Sequence, residues 1–409
     1  MRRLANMTGG LLGLLVLGAL VVGLALTFGG LPRGAKPASQ AFQSPIETPT
    51  QPPYPPPGPP TPPQPATPTA VPTPPGLRTE NIRIEKEVQL TFEEGNFFSS
   101  WISWSPNGDK VLVNRYNGQT IQGENVTFLL TDIWEIPLDG GTPRQVVSNA
   151  YGGIWSPNGR KLLYFSLTAP DRQDIYVSDE DGANAIKIAS GSPTPAWWLN
   201  DANIVYVDQG RLWVANVAQR RSQILNEYLD LTPARPNRWN KPYALSPENG
   251  KLAYIDGFRL FVMGISEAPG HPVADNLSPG SSSRPNLAWS PRGRHLAYVA
   301  YVTDEEGYKP GLWLVDAEGT NPRLLSMGQT TDWFERPFWF PSGTILGFSQ
   351  FSGGTDKHFK IYLVNTDGTG LTDLTGSRES QQFPVLAPDG NKIAFWREGN
   401  LWVAFLALK

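Results

Sequence analysis

The sequence predicts an all-β protein: a seven-bladed β-propeller of four-stranded blades, closed by an N-terminal strand and preceded by a transmembrane helix and a disordered proline-rich linker. Three observations predict it. A turn anchor recurs seven times at spacings of 43 to 51 residues, matching propeller blades of roughly 40 to 50 residues. An aliphatic-aromatic pair follows every copy, and the last copy runs out of chain before its fourth strand. Composition agrees. Forty Pro and forty-one Gly in 409 residues are too many breakers for a helical protein. Charged residues make up only 17 %, and the formal net charge of -3 provides no basic field to neutralise phosphates, so no nucleic-acid partner is expected. The absence of Cys excludes disulfides, thiolate zinc sites and thiol catalysis, and three His leave little to build a metal centre. No cofactor and no metal are expected.

The first 31 residues place Arg2 and Arg3 ahead of an uncharged stretch whose centre, residues 11–28, is almost entirely Leu, Val, Ala and Gly. About 18 to 25 such residues span a hydrocarbon core of about 30 Å, and the flanking charges favour an inside N-terminus. A cleaved signal peptide has the same polarity but usually a shorter apolar core, about 7 to 15 residues, and a small-x-small site. Gly29-Gly30-Leu31-Pro32-Arg33 offers no such site. A signal anchor is therefore expected. In either case the remainder is exported, as a membrane-anchored periplasmic or cell-surface domain or, after cleavage, a secreted one. Residues 32–78 carry runs such as Pro55-Pro56-Pro57 among Thr, Gln and Ala. Proline fixes φ and removes the N–H donor, so this tract reads as an extended spacer. At about 3.1 Å per residue it would hold the next domain about 100 Å or more from the membrane.

Residues 79–409 hold the repeats. The anchor stands complete at Trp104-Ser105-Pro106-Asn107-Gly108, Trp155-Ser156-Pro157-Asn158-Gly159 and Trp289-Ser290-Pro291-Arg292-Gly293. Degraded copies start at Trp198, Leu245, Trp339 and Leu386, and the one at Trp198 lacks both Pro and Gly. Pro at the second position and Gly at the fourth suit a type I turn joining an inner strand to the next. The later pairs are Ile133-Trp134, Ile175-Tyr176, Leu212-Trp213, Leu260-Phe261, Leu312-Trp313, Ile361-Tyr362 and Leu401-Trp402, bodies large enough to fill the gap between blades. Asp139-Gly140, Asp181-Gly182, Glu318-Gly319 and Asp367-Gly368 read as hairpins into a fourth strand. The strand missing after Leu401-Trp402-Val403 is expected from residues 84–90, which would close the ring and cover both open edges.

These residues resemble the TolB-like, Pro-Asp-Gly type of β-propeller repeat, over about residues 80 to 409. That resemblance implies the fold, but it implies binding, scaffolding and catalysis alike. TolB itself would imply six blades where seven copies stand here. Propellers of prolyl-oligopeptidase-like enzymes carry an α/β-hydrolase partner, yet the sequence has no Gly-x-Ser-x-Gly elbow. There is also no His-Glu-x-x-His and no phosphate-binding Gly loop. Some lyases of the repeat class act on pectic sugars with His and metal at the channel mouth, which keeps a secreted carbohydrate- or peptide-acting enzyme as the alternative. His271, His295 and His358 are scattered over separate repeats, and no catalytic residue is assigned. Asp179-Glu180-Asp181-Gly182 lacks the other ligands of a calcium loop and reads as a hairpin turn.

The rim is the better candidate. Strand alternation brings the second-to-third and fourth-to-first connections to one face, and the long segments 92–100, 114–125, 226–240, 303–310 and 327–335 are all of these kinds. Lys241-Pro242, Arg284-Pro285 and Arg336-Pro337 place a cation ahead of three successive inner strands, flanked by Trp239 and Trp333, with Phe97 of the 92–100 segment a further candidate contact. Lys241, Arg284 and Arg336 form a candidate arc for a carboxylate-bearing peptide or acidic saccharide; Asp332 and Glu335 offer Arg336 a purely local pairing instead. The expected protein is a monomeric binding or scaffold module for a cell-envelope protein, peptide or saccharide, and a sensor domain is a second alternative.

Overall fold

The computed structural model describes residues 76–408 except 93–96, 124–126, 170–171, 192–195, 228, 232–242, 248–249, 257, 268–269, 276, 278–285, 306, 330–331, 353–357 and 377–378. The expected anchor and most of the spacer lie outside them. Among the described residues no helix is long and apolar enough to cross a membrane.

Among the described residues the strands form seven four-stranded antiparallel sheets, six from consecutive strands and one assembled from both ends of the chain. Blade two is representative, with strands Tyr151–Trp155, Lys161–Ala169, Arg172–Asp179 and Ile186–Gly191. Blade seven takes Gln382–Leu386, Lys392–Arg397 and Asn400–Leu408 from the C-terminus and Ile82–Gln89 as its outer strand. Ile82 lies opposite Leu408 and Gln89 opposite Trp402, so the closure expected from residues 84–90 is present and begins two residues earlier. Arg397, 7 % exposed, reaches the same strand: its two terminal nitrogens donate to Glu87 at 2.7 and 2.9 Å while its plane lies over Phe395 and Trp402. Bidentate pairing on a buried guanidinium fixes register as well as charge.

Each marker has a defined mechanical role. In the Ser-Pro-x-Gly turns the Gly N–H donates to the Ser carbonyl, as in Gly159 to Ser156 at 2.8 Å, and Gly159 sits at φ +74, where a Cβ would be strained. The Ser156 hydroxyl accepts from the Lys161 amide at 3.0 Å. Blade three has neither Pro nor Gly, yet it is regular: the Asn200 carboxamide oxygen accepts from the amides of Ala202 and Asn203 at 3.0 and 2.9 Å and holds the shorter turn. The indoles strap neighbouring blades together. Trp104, Trp198, Trp289 and Trp339 donate to the carbonyls of Val385, Ile154, Ala244 and Ala288, each on the inner strand of the preceding blade, at 2.9 to 3.1 Å. Trp155 is the exception, with a buried indole N–H that has no acceptor. Its interface is strapped from the other side, by Trp101 donating to Gly153 at 2.9 Å.

In the aliphatic-aromatic pairs, the aliphatic member is 0 to 1 % exposed in all seven blades. The aromatic member lies opposite an aromatic of strand two in blades two to six, as with Tyr164 and Tyr176 or Tyr254 and Phe261, with centroids 5.1 to 6.4 Å apart. Between the two members the ladder to the outer strand shifts register in blades one to five. A shift there adds twist to the outer strand, which suits a sheet that must fan outward from the axis.

The core sits between blades. Leu112 and Ile133 of blade one pack with Trp155, Leu162 and Tyr164 of blade two, and analogous clusters fill the other interfaces. Trp155→Ala is therefore expected to destabilise by about 3 to 5 kcal/mol in denaturant melts, against a nearly silent His358→Ala; equal losses would mean that Trp155 is not a wedge. Removing residues 1–94, and with them the closing strand, is expected to expose the Asn400–Leu408 edge and cause aggregation on light scattering, whereas a fragment from residue 79 stays soluble.

Candidate functional site

Because the strands alternate direction, the Ser-Pro-x-Gly turns and Asp-Gly hairpins share one face and the remaining connections share the other. Ile82 and Leu408 lie at the short-turn face, so the other face carries neither end of the described chain. Two segments read as loops from the sequence are extended hairpins instead. In blade one, Lys110–Gln122 and Thr127–Pro137 keep pairing out to Gln122 opposite Thr127; in blade five, His295–Asp304 and Gly307–Asp316 pair to Asp304 opposite Gly307. The polar, glycine-containing 114–125 stretch looks like a loop, but its backbone pairing continues past the irregularity between Tyr116 and Thr120. The base of that hairpin is rigid, since Asp132 accepts from Asn117, Gln145 and the Asn149 amide at 2.9 to 3.0 Å.

Of the proposed ligand contacts, Lys241, Arg284 and Trp239 lie outside the described residues. Phe97 and Trp333 begin the inner strands of blades one and six, at the loop face, with Phe97 opposite Arg115 and Trp333 opposite Phe351. Arg336 lies within the inner strand of blade six, where pairing is interrupted between Glu335 and Phe338, and is followed by a buried Pro337. Proline is tolerated there because an inner strand has one edge with no ladder partner. Asp332 is already engaged: its carboxylate accepts from the Gln329 amide at 2.8 Å and from Gln350 at 2.9 Å.

The exposed apolar residues are a signal the sequence reading missed. Among the described residues six large apolar side chains are exposed, and Phe92, Leu129, Phe258 and Met327 belong to the loop face. Phe258, 65 % exposed, sits in the two-residue turn between Asp256 and Arg259, with its carbonyl accepting from Leu277 at 3.0 Å. The clue the sequence offers is a phenylalanine directly after the Asp256-Gly257 pair, a composition that suits a tight turn.

A cleft of about 660 Å³ lies away from the channel, at the perimeter between blades six and seven, and is lined by Arg83, Glu87, Asp373, Thr375, Glu379 and Arg397. Arg397 is already engaged there by Glu87 and, at 3.3 Å, by Glu379. His295 faces Asp316 at 3.6 Å and stacks on Trp339; burial holds its pKa below the ordinary value, opposed by the attraction of Asp316. Among the described residues no three His, Asp or Glu converge in a way that could hold a metal ion. Asp179-Glu180-Asp181-Gly182 forms a hairpin turn, with Gly182 donating to the Asp179 carbonyl at 3.0 Å.

Seven blades of this pattern, closed by an N-terminal outer strand, define a β-propeller of the class built from Trp-Ser-Pro-x-Gly repeats. No protein-family profile matches the chain. It is 34 % identical over 124 residues to a TolB homologue of Chlorobium luteolum, covering 30 % of this chain and 26 % of the homologue. Over 115 residues it is 30 % identical to the uncharacterized protein YidR of Escherichia coli, covering 28 % and 26 %. The chain thus spans about a quarter of the length of these relatives. Among solved structures, the propeller domain of the Trilobed protease from Pyrococcus furiosus superposes with a TM-score of 0.52 at 10 % identity over 76 % of this chain and 95 % of that one. An oligogalacturonate lyase in complex with manganese superposes at 0.54 and 13 % identity over 80 % and 98 %. At those identities the likeness concerns the fold alone. The chain is a β-propeller whose repeats are similar to those of TolB homologues.

Proposed function

We propose that this propeller is a membrane-anchored, extracytoplasmic binding or scaffold module, which engages a cell-envelope protein, peptide or acidic saccharide through its loop face. One observation carries the reading: four of the six large apolar side chains exposed among the described residues belong to that face, and exposed apolar surface is what a binding face offers a partner. The lengthened hairpins of blades one and five raise the same face above the ring, as connections that carry function do. The opposite face has short turns and both ends of the described chain. In this reading the first 31 residues hold the protein to the membrane, residues 32–78 space it away, and Lys241, Arg284 and Arg336 give the face a local preference for carboxylates. The module has no chemistry of its own; the competing reading, an enzyme acting on carbohydrate or peptide, requires a convergent carboxylate or His set at the channel mouth.

Recovery of a partner from envelope extract, with the full chain as bait, tests the reading. Replacing Phe92 and Phe258 together by Ser is expected to lower recovery while shifting stability by no more than about 0.5 kcal/mol, as exposed substitutions do; undiminished recovery would take the site off this face. Charge reversal at Arg284 and Arg336 together is expected to abolish binding of an anionic partner and to leave stability within about 1 kcal/mol. That attraction should also fade as added salt shortens the Debye length below about 8 Å. A large stability loss in the double variant would make the two arginines structural.

A further inference from the structure

We propose that residues 77–81 are a mechanical latch, which ties the chain ahead of the closing strand to the hairpin between the third and fourth strands of blade six, so that a pull on the N-terminal segment is resisted there first. The closing strand belongs to blade seven, but the turn before it, Thr79–Asn81, is bonded to a different blade. Thr79 is fully buried; its amide donates to the Asn365 side-chain oxygen at 3.1 Å and its hydroxyl to the Gly370 carbonyl. Arg78 donates to Asp367 at 3.2 Å and to the Thr369 hydroxyl. Leu77 and Ile82 pack on Phe340, Ile345 and Leu363, all of blade six.

The receiving turn is built for this. Asn365, 3 % exposed, closes its own hairpin, donating its amide to the Thr369 carbonyl at 3.0 Å while its side chain holds Thr79. Gly370 is at φ +68, and a Cβ there would run into both the Asn365 and Thr79 side chains. Hydrogen bonds from Thr369, with Arg78 behind them, hold the Asp367 carboxyl down at about 2, so this contact is ionised at ordinary pH.

The direction of pull gives the latch its purpose. Ile82 and Leu408 lie side by side, so tension applied ahead of Ile82 would open the ladder one pair at a time from that end. The latch precedes the first pair and has to break before the ladder is loaded. This inference concerns the face opposite the proposed binding surface and does not depend on that surface.

The test holds the full chain in detergent by its two ends at constant force and records the lifetime of the first step, release of the closing strand. Asn365→Ala is expected to shorten that lifetime roughly tenfold, because it strands a buried amide, and Asp367→Ala about threefold, because its contact is exposed. Later steps should be unchanged in both. If Asn365→Ala fails to fold, Asp367→Ala decides the matter, since its side chain is half exposed on the turn. First-step lifetimes equal to the parent in the variants that fold would overturn the proposal, as would equal shortening of every step.

Discussion

A sheet in this molecule has no interior of its own: each blade buries its faces only against its neighbours, so the ring is stable only if it closes. Closure falls to the pairing of Ile82–Gln89 with Asn400–Leu408, which joins the two ends of the described chain in one sheet. Every interface depends on it, because an open ring would leave a blade with an uncovered face and an unpaired edge. The investment at this seam is correspondingly large. It combines an eight-residue outer strand, a buried guanidinium bonded to Glu87 and stacked on two rings, and a Trp104 strap to Val385 across the junction with blade one.

The remaining interfaces use a cheaper device repeated around the ring. An indole at the end of an inner strand is both wedge and donor, filling the gap with its rings and satisfying a carbonyl that faces no ladder partner. Each such bond contributes only about 0.5 to 1.5 kcal/mol net, so its larger effect is on geometry, fixing how far one inner strand sits from the next. Where Leu245 and Leu386 replace the indole, packing does the work: Leu386 joins the apolar cluster between blades six and seven and Leu245 the one between blades three and four. The strap is dispensable wherever the wedge is kept.

The same physics decides what could be read from the sequence. Turns and wedges are local, so their residues show as repeats, and the count of seven, the order of strands and the closing segment were all legible. Blade three lacks the Pro and Gly of the anchor because Asn200 does by side-chain acceptance what Ser, Pro and Gly do elsewhere. The extended hairpins read as loops because Asn, Asp and Gly are poor strand formers in isolation, while pairing to a partner strand overrides propensity. The Thr79–Asn365 contact could not be seen at all, since neither residue carries a signal until the fold brings them together across 286 positions. On the loop face the cations and the aromatics Phe97, Trp239 and Trp333 make a pattern visible in the sequence, whereas the exposure of Phe92 and Phe258 is a property of the folded surface.

The two faces thus answer to different constraints. On the short-turn face the connections are held by tight backbone bonds, and both described chain ends are bonded in, so substitutions there are felt as stability. On the other face the hairpins of blades one and five outgrow the ring and large apolar side chains stand in solvent without contributing to the core. Solvent exposure of a phenylalanine at 78 % or 65 % gains nothing for folding. The inter-blade surfaces are taken up by closure, so the proposed binding would have to use the connections of the face that closure leaves free.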